Sequence, residues 1–275
     1  MNPRVAVAQM NCALGNVRHN LQKIKTLAQR AARREVDMVC FPELATTGYA
    51  LNRSWRKLAE TIPGPSSDAL GRIASEHGFY LICGFDELDS KSKRIHDSSA
   101  LFDSNGDIVG VYRKVHLWAN EQKYFTPGDS FPTFRTRFGR IGLGICYDLE
   151  FPEPARIMAL GGADIVFFSS AQPKPMQAMV DTYVRSRAGE NSVFACHSNR
   201  VGREGRLVYF GQSQIVSPTC QPLARMSESE GLIQAELDLP SIKKLRKTEL
   251  PYFRDRTPNL YSALGKKNQS DYRRL

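Results

Sequence analysis

The chain has 275 residues and a formal net charge of +10 at pH 7, with 41% hydrophobic and 24% charged residues. These values are typical of a soluble globular protein with an ample core, in one large α/β domain or two small ones. The basic residues form short clusters that leucine and acidic residues interrupt, so the charge predicts solvated surface, and we expect no nucleic-acid partner.

Strand-like and helix-like segments alternate along the chain. The strand-like segments are short and apolar; in chain order they are residues 4–10, 37–43, 79–88, 98–117 (a hairpin), 139–146, 164–171, 191–199, 206–219 and 231–239. The helix-like segments are residues 20–36, 68–78, 151–163 and 176–190. Asn20 is the predicted N-cap of the first helix, and Asn105-Gly106-Asp107 is the predicted turn of the hairpin.

This alternation predicts sheets with helices on their outer faces, with part of the sheet content antiparallel. No Pro/Gly/Ser-rich linker divides the chain, so we expect one domain, residues 1–262, and a C-terminal tail, residues 263–275. The final segment, residues 251–275, has little periodicity, which fits either an arm that packs on a partner or a partly disordered tail.

The six cysteines are scattered and none forms a C-x-x-C pair, which predicts reduced thiols instead of a disulfide framework or a zinc knuckle. A strand pattern begins at residue 4 and no apolar run approaches membrane-spanning length. We therefore expect a cytoplasmic protein without a secretory leader or a membrane partner.

Three reactive side chains end apolar strand segments: Glu43, Lys114 and Cys146. Loops at the carboxyl ends of strands converge in open α/β sheets, and ligands bind there. Singly, each residue also fits a structural role, as a surface acid, an edge-strand lysine or a core thiol. Together they predict a nucleophilic site, in which the carboxylate accepts the thiol proton while the ammonium and the N–H of Tyr147 stabilise an oxyanion.

The segments around these residues resemble the three signature segments of the nitrilase superfamily, the carbon–nitrogen hydrolases: FPELATTGY, YRKVHL and GLGICYDLEFPEPAR. Three further segments resemble other parts of that family: NEQKYFTPGD, RSRAGENSVFACHSNRVG and FGQSQIVSP. The resemblance runs from about Val5 to about Tyr261. It implies a four-layer α-β-β-α sandwich that pairs into a homodimer or a higher homo-oligomer, without a metal or organic cofactor.

The resemblance also implies roles for single residues. Glu43 would be the general base, Lys114 the oxyanion-stabilising cation and Cys146 the nucleophile that forms a thioester. Glu121 would orient the substrate or help to hold Lys114. The candidate substrate-binding residues are Tyr49, Trp118, Tyr147 and Ala171.

Hydrolysis of a small carboxamide to a carboxylate and ammonia is the leading prediction. Members that act on nitriles often carry Trp-Glu after the cysteine, where this chain has Tyr147-Asp148. N-carbamoyl hydrolysis is the second alternative and nitrile hydrolysis the third. A glutamine-dependent synthetase would need an ATP-using domain, for which 275 residues leave no room.

Three other classes of protein are also considered. A cysteine–histidine hydrolase would use His116 or His197, although His116 fits better as support for the turn after Lys114. A binding or scaffold protein on the same fold is disfavoured because the three reactive residues and Glu121 are all present. A metal hydrolase is disfavoured because the sequence lacks His/Asp/Glu clusters at ligand spacing.

Overall fold

A computed structural model describes residues 2–265 of the chain. Its strands are β1 Arg4–Gln9, β2 Met38–Cys40, β3 Tyr80–Leu88, β4 Ile95–Phe102, β5 Ile108–Arg113, β6 Thr133–Thr136, β7 Gly139–Ile145, β8 Ala163–Ser170, β9 Phe194–Asn199, β10 Val201–Glu204, β11 Leu207–Phe210, β12 Gln214–Val216, β13 Pro222–Arg225 and β14 Gly231–Glu236. Its α-helices are α1 Val17–Ala32, α2 Trp55–Leu58, α3 Pro65–His77, α4 Pro152–Leu160, α5 Gln177–Asn191, α6 Leu239–Lys244 and α7 Tyr252–Asp255. Short 3₁₀-helices span Asn52–Ser54, Ala119–Lys123, Cys146–Glu150, Pro258–Leu260 and Ser262–Gly265, and a π-helical turn spans Leu245–Glu249.

The strands form two six-stranded mixed sheets and a two-stranded ribbon. The first sheet has the order β14-β1-β2-β3-β4-β5, and the second has the order β13-β12-β9-β8-β7-β6. In each sheet the central strands are parallel, with Val39 opposite Leu81 in the first and Leu143 opposite Phe167 in the second. The outer strands are antiparallel in both, so the predicted mixture of parallel and antiparallel pairing is confirmed.

Three apolar layers hold these elements together. Helices α1 and α3 cover one face of the first sheet, and α4 and α5 cover one face of the second. The remaining two faces meet in an inter-sheet layer that contains Val7, Ile82 and Phe167. The molecule is therefore a four-layer α-β-β-α sandwich, as the family resemblance implied.

The first helix begins earlier than its apolar pattern predicted. Asn16, not Asn20, is the N-cap, and its Oδ1 accepts a hydrogen bond from the N–H of His19 at 3.1 Å. Asn20 is fully buried inside the helix, where its side-chain amide bonds to Ala13 and donates to the carbonyl of Thr46 at 2.9 Å. The cap prediction for Asn20 is wrong because two asparagines lie four residues apart, and the sequence pattern did not distinguish them.

The C-terminal part is more regular than its composition predicted. Residues 251–265 contain α7 and two 3₁₀-helices, although the segment has no helical periodicity. The predicted boundary between domain and tail at residues 262 and 263 falls within the 3₁₀-helix Ser262–Gly265, and residues 266–275 lie outside the described residues. Within residues 2–265, no helix combines the length and the apolar character needed to cross a membrane.

Candidate active site

The site lies where the ends of the two sheets meet. Glu43 follows β2 and Lys114 follows β5, both of the first sheet, whereas Cys146 follows β7 of the second. All three are buried, with exposed fractions of 0%, 0% and 8%. The loops that carry them therefore converge between two sheets, and not along the edge of one open sheet as the strand-end argument assumed.

A sharp turn carries the thiol of Cys146. The strand ends at Ile145, and Cys146 has a φ of +45°, which is uncommon for a residue other than glycine. The carboxylate of Asp148 holds this turn, because its Oδ2 accepts hydrogen bonds from the N–H of Ile145 at 3.0 Å and the hydroxyl of Tyr112 at 2.7 Å. The chain therefore changes direction directly after β7, at the residue that carries the thiol.

The same carboxylate connects the turn that begins at Cys146 to the segment after Lys114. Its Oδ1 accepts a hydrogen bond from the N–H of His116 at 3.0 Å and lies 2.8 Å from Nδ1 of that ring. The ring of His116 stacks on Phe151, with centroids 3.9 Å apart. Asp148, which received no role from the sequence, thus fixes Cys146 relative to Lys114.

The two histidines of the cysteine–histidine alternative are engaged elsewhere. His116 bonds to Asp148, and Nε2 of His197 lies 3.0 Å from Oε1 of Gln172. Burial lowers the pKa of His197 to about 3, so its ring is neutral. Among the described residues, neither ring forms a hydrogen bond with Cys146.

Lys114 lies at the centre of a buried cluster of acids. Its Nζ is 2.5 Å from Oε1 of Glu43, 2.9 Å from Oε1 of Glu121 and 3.3 Å from Oδ2 of Asp97. Burial lowers the pKa of Lys114, but the neighbouring acids, Glu121 and Glu43 foremost, outweigh it and raise that pKa well above its usual value. Lys114 is therefore a permanently charged ammonium.

These three carboxyl groups are also the described side chains that could hold a metal ion, since one oxygen from each lies within 4.8 Å of the others. The sequence analysis did not find this cluster because its members are far apart along the chain. The ammonium of Lys114 contacts all three and supplies the positive charge at this point.

The thiol of Cys146 is protonated in this environment. Burial raises its pKa well above the usual value and the negative charge of Glu43 raises it further, while Lys114 acts in the opposite direction. Oε2 of Glu43 has no hydrogen-bond partner among the described groups. Attack by the sulfur therefore requires a base, and Glu43 is a neighbouring carboxylate with an unpaired oxygen.

Glu121 and Tyr49 form one hydrogen-bonded unit with Lys114. Oε1 of Glu121 accepts hydrogen bonds from the Tyr49 hydroxyl at 2.5 Å and from Lys114, and Oε2 accepts one from the N–H of Trp118 at 2.8 Å. These contacts occupy both oxygens of Glu121. The Tyr49 hydroxyl donates to Glu121, so Glu121 contacts Lys114 directly and Tyr49 orients Glu121.

The other candidate substrate-binding residues lie around the thiol. Ala171 follows β8, and its backbone N–H lies against Cys146. Trp118 packs with Tyr49 and Ala171 in one apolar cluster. Tyr147 directly follows Cys146, is half-buried and meets Phe151 edge to face, with ring centroids 5.0 Å apart. The structure thus places Ala171 and Tyr147 beside Cys146, and Trp118 in the apolar cluster that also contains Ala171 and Tyr49.

Two further supporting residues were missed by the sequence analysis. The guanidinium of Arg187, on α5, donates to the carbonyls of Leu149 at 3.0 Å and Glu150 at 3.1 Å. These bonds fix the end of the turn that begins at Cys146. Asp97 contacts Lys114 from the middle of β4. Their sequence signals are an arginine inside the RSRAGEN segment and the single acid of the segment that forms β4.

The sandwich, with a thiol, a carboxylate and an ammonium gathered at one end, defines the class of the carbon–nitrogen hydrolases. Residues 4–247 match the family described as carbon-nitrogen hydrolase. The chain therefore belongs to this family, within the nitrilase superfamily, and the resemblance found in the sequence is confirmed.

Three similar proteins support the assignment over nearly the whole chain. A probable nitrilase of Schizosaccharomyces pombe is 37% identical, with 96% of this chain and 99% of the relative covered. The crystal structure of a carbon–nitrogen hydrolase from Helicobacter pylori G27 has a TM-score of 0.91 at 29% identity, covering 97% and 99% of the two chains. An amidase from Nesterenkonia sp. AN1, solved as a mutant in complex with butyramide, has a TM-score of 0.84 at 27% identity, covering 94% and 95%.

Proposed function

We propose that this protein is an amidase that hydrolyses a small carboxamide to a carboxylate and ammonia through a thioester on Cys146. The observation that carries the proposal is the buried thiol of Cys146, on a turn with positive φ, beside the ion pair of Glu43 and Lys114, whose Oε1 and Nζ are 2.5 Å apart. The likeness to the Nesterenkonia amidase supports an amide as substrate.

In the first step, Glu43 accepts the proton of Cys146 as the sulfur attacks the carbonyl carbon of the amide. The carbonyl π bond becomes an oxyanion, which accepts hydrogen bonds from the ammonium of Lys114 and the N–H of Tyr147. Both donors are fixed before the substrate arrives, so they stabilise the transition state without reorganising. Glu121 holds the ammonium in place through its 2.9 Å contact.

In the second step, protonated Glu43 gives its proton to the amide nitrogen. The carbon–nitrogen bond breaks, ammonia leaves and the thioester forms. Glu43 then removes a proton from water as the water oxygen attacks the thioester carbonyl. The carbon–sulfur bond breaks and the sulfur recovers the proton from Glu43, which restores the starting state.

A panel of small amides, ureido acids and nitriles, with detection of released ammonia, tests the choice of substrate. We expect turnover of short aliphatic amides at a kcat/KM well above that of the other two classes. The Tyr147-Asp148 pair after the nucleophile favours amides, whereas the S. pombe relative is described as a probable nitrilase. Turnover of nitriles alone, or of ureido acids alone, would replace the amidase assignment.

We also propose that the protein is a homodimer or a higher homo-oligomer. Exposed apolar side chains lie on α4 and on the C-terminal segment: Ile157, Leu160, Leu260 and Leu264. Such side chains are typical of surfaces that a second subunit covers. A sizing column calibrated for mass distinguishes a monomer from a dimer or a higher oligomer. Elution at the 30.9 kDa of one chain would refute the proposal.

A further inference from the structure

Asp97 is a buried acid to which neither the sequence analysis nor the proposed reaction gives a role. It lies on β4 with an exposed fraction of 1%, and its Oδ2 is 3.3 Å from Nζ of Lys114. Neither of its oxygens has a hydrogen-bond partner of suitable geometry among the described groups, and the same is true of Oε2 of Glu43. One carboxyl oxygen of Asp97 lies within 4.8 Å of one of Glu43, and the neighbouring Glu43 side chain is among the causes that raise the pKa of Asp97.

The charges of the cluster do not balance if every acid is ionised. One ammonium would then face three carboxylates in a buried space, beside a thiol that must become negative during attack. An uncompensated buried carboxylate is costly, and two adjacent carboxylates avoid this cost by sharing one proton. The cluster therefore holds a proton in addition to those on Lys114.

The surroundings of the three acids indicate where this proton lies. Burial raises the pKa of Glu121 above its usual value, but the hydrogen bonds that Glu121 accepts from Lys114, Tyr49 and the Trp118 N–H oppose this and favour its ionised form. Asp97 receives none. Burial raises the pKa of Asp97 well above its usual value; Lys114 after β5 opposes this, while Glu43 after β2 and Glu121 of the Ala119–Lys123 helix reinforce it.

We propose that Asp97 is protonated in the resting enzyme and donates a hydrogen bond to Oε2 of Glu43, so that it is a positioning residue for the general base. Lys114 then holds Oε1 of Glu43 and Asp97 holds Oε2, which fixes the plane of the carboxylate. Each carboxylate oxygen keeps a second lone pair, which remains available for the thiol proton. The inference rests on the proposed function, because it assigns Asp97 a part in the same reaction.

Infrared spectroscopy of the resting enzyme tests the protonation state without using catalysis. The difference spectrum between wild type and Asp97→Asn should show the carbonyl band of a protonated carboxylic acid, since asparagine removes that group and keeps its shape. A difference spectrum that contains only bands of an ionised carboxylate would overturn the proposal. This measurement remains decisive even if the enzyme hydrolyses no amide of the panel.

Kinetics of two variants test the positioning role. Asp97→Asn keeps a neutral N–H donor toward Glu43, whereas Asp97→Ala has none, so kcat/KM should fall by about tenfold more in the alanine variant. Equal losses in both variants would overturn the proposal, because they would mean that the carboxyl group itself, and not its donor hydrogen, is required.

The pH profile supplies a readout that a purely structural residue would not change. As the pH rises, ionisation of Asp97 adds a negative charge beside Glu43 and competes for Lys114, so activity should fall. Asparagine cannot ionise, and in Asp97→Asn this alkaline limb should move to higher pH. An alkaline limb in Asp97→Asn identical to that of wild type would contradict the proposal.

Asp86 provides a matched control. It lies on β3 opposite Asp97, is 2% exposed and has a pKa that burial raises well above the usual value, but its polar neighbours are Thr47 and Glu60. Asp86→Asn should remove its own protonated-acid band and leave the alkaline limb in place. A limb that moves equally in Asp86→Asn would overturn the assignment to Asp97. Normal amide turnover without the Asp97 band would refute this inference and leave the amidase assignment standing.

Discussion

Two buried ion pairs in this molecule have similar chemistry and different surroundings. Arg200 and Glu204 are almost completely buried, with Nη1 2.6 Å from Oε1, as close as the Lys114–Glu43 pair. The carboxylate of Glu204 also accepts hydrogen bonds from the N–H of Ala50 at 2.7 Å and from the N–H of Tyr49 and the Tyr209 hydroxyl, each at 3.1 Å.

At the Lys114 cluster, by contrast, Oε2 of Glu43 and both oxygens of Asp97 have no hydrogen-bond partner among the described residues. Buried acceptors are normally satisfied, and an unsatisfied one calls for an explanation. The comparison therefore separates a pair that holds the chain, in which both oxygens of the carboxylate accept hydrogen bonds, from a pair beside which carboxyl oxygens are free to take up a proton. The predictions below test this separation.

The largest effect is expected from Cys146→Ala. Because the sulfur forms the covalent bond, the variant should release no ammonia from any amide, while its thermal unfolding midpoint should stay close to that of wild type. Cys220→Ala is the control, since Cys220 is a partly buried thiol that bonds to the carbonyl of Arg185. Ammonia release by Cys146→Ala at the wild-type rate would remove Cys146 as the nucleophile.

The next largest effect is expected from Glu43→Gln. Glutamine keeps the shape of the side chain but cannot accept the thiol proton, so kcat/KM should fall by roughly 10²–10⁴-fold. Rapid-quench measurement of ammonia should also show no burst, because acyl-enzyme formation is blocked. If the burst persists at normal amplitude, the base is a different group.

A smaller effect is expected from His116→Asn. His116 contacts Asp148 and supports the turn after Lys114, but the proposed reaction gives it no proton to transfer. The loss in kcat/KM should therefore be about tenfold or less, well below that of Glu43→Gln. A loss as large as that of Glu43→Gln would restore the cysteine–histidine alternative.

The smallest effect on turnover is expected from Glu204→Gln, which instead should lower stability. The variant leaves Arg200 buried without a charged partner, and the free energy of unfolding should fall by about 3 kcal/mol in a denaturant titration. The kcat of the folded enzyme should change far less than in Glu43→Gln. The separation between the two pairs fails if Glu204→Gln loses turnover without losing stability.

Much of the fold could be predicted because the apolar pattern of a segment indicates whether that segment is buried. The strands that became β1, β3, β7 and β8 are apolar runs bounded by polar residues, and the helix from residue 151 begins beside a proline. Residues 206–219, however, form two strands: β11 pairs with β10 in the ribbon, and β12 joins the second sheet. That division depends on tertiary pairing, which an apolar run does not encode.

The residues of the candidate site likewise divide into those that the sequence could predict and those that it could not. Glu43, Lys114, Glu121 and Cys146 stood out because reactive residues lay within recognisable motifs. Asp97 and Asp148 did not, because their importance comes from contacts with residues up to 54 and 36 positions away, which no local pattern records. The features that identify Asp97 are its burial, its missing hydrogen bonds and its contact with Lys114, and all three exist only in the folded chain.

The most direct test of the account is to trap the acyl-enzyme. Wild-type protein turning over the best amide of the panel is quenched in acid, digested and analysed by mass spectrometry. The account predicts the acyl group of that amide on the peptide that contains Cys146, and no adduct in Cys146→Ala. Steady release of ammonia with no adduct on Cys146, or with the acyl group on another residue, would contradict it.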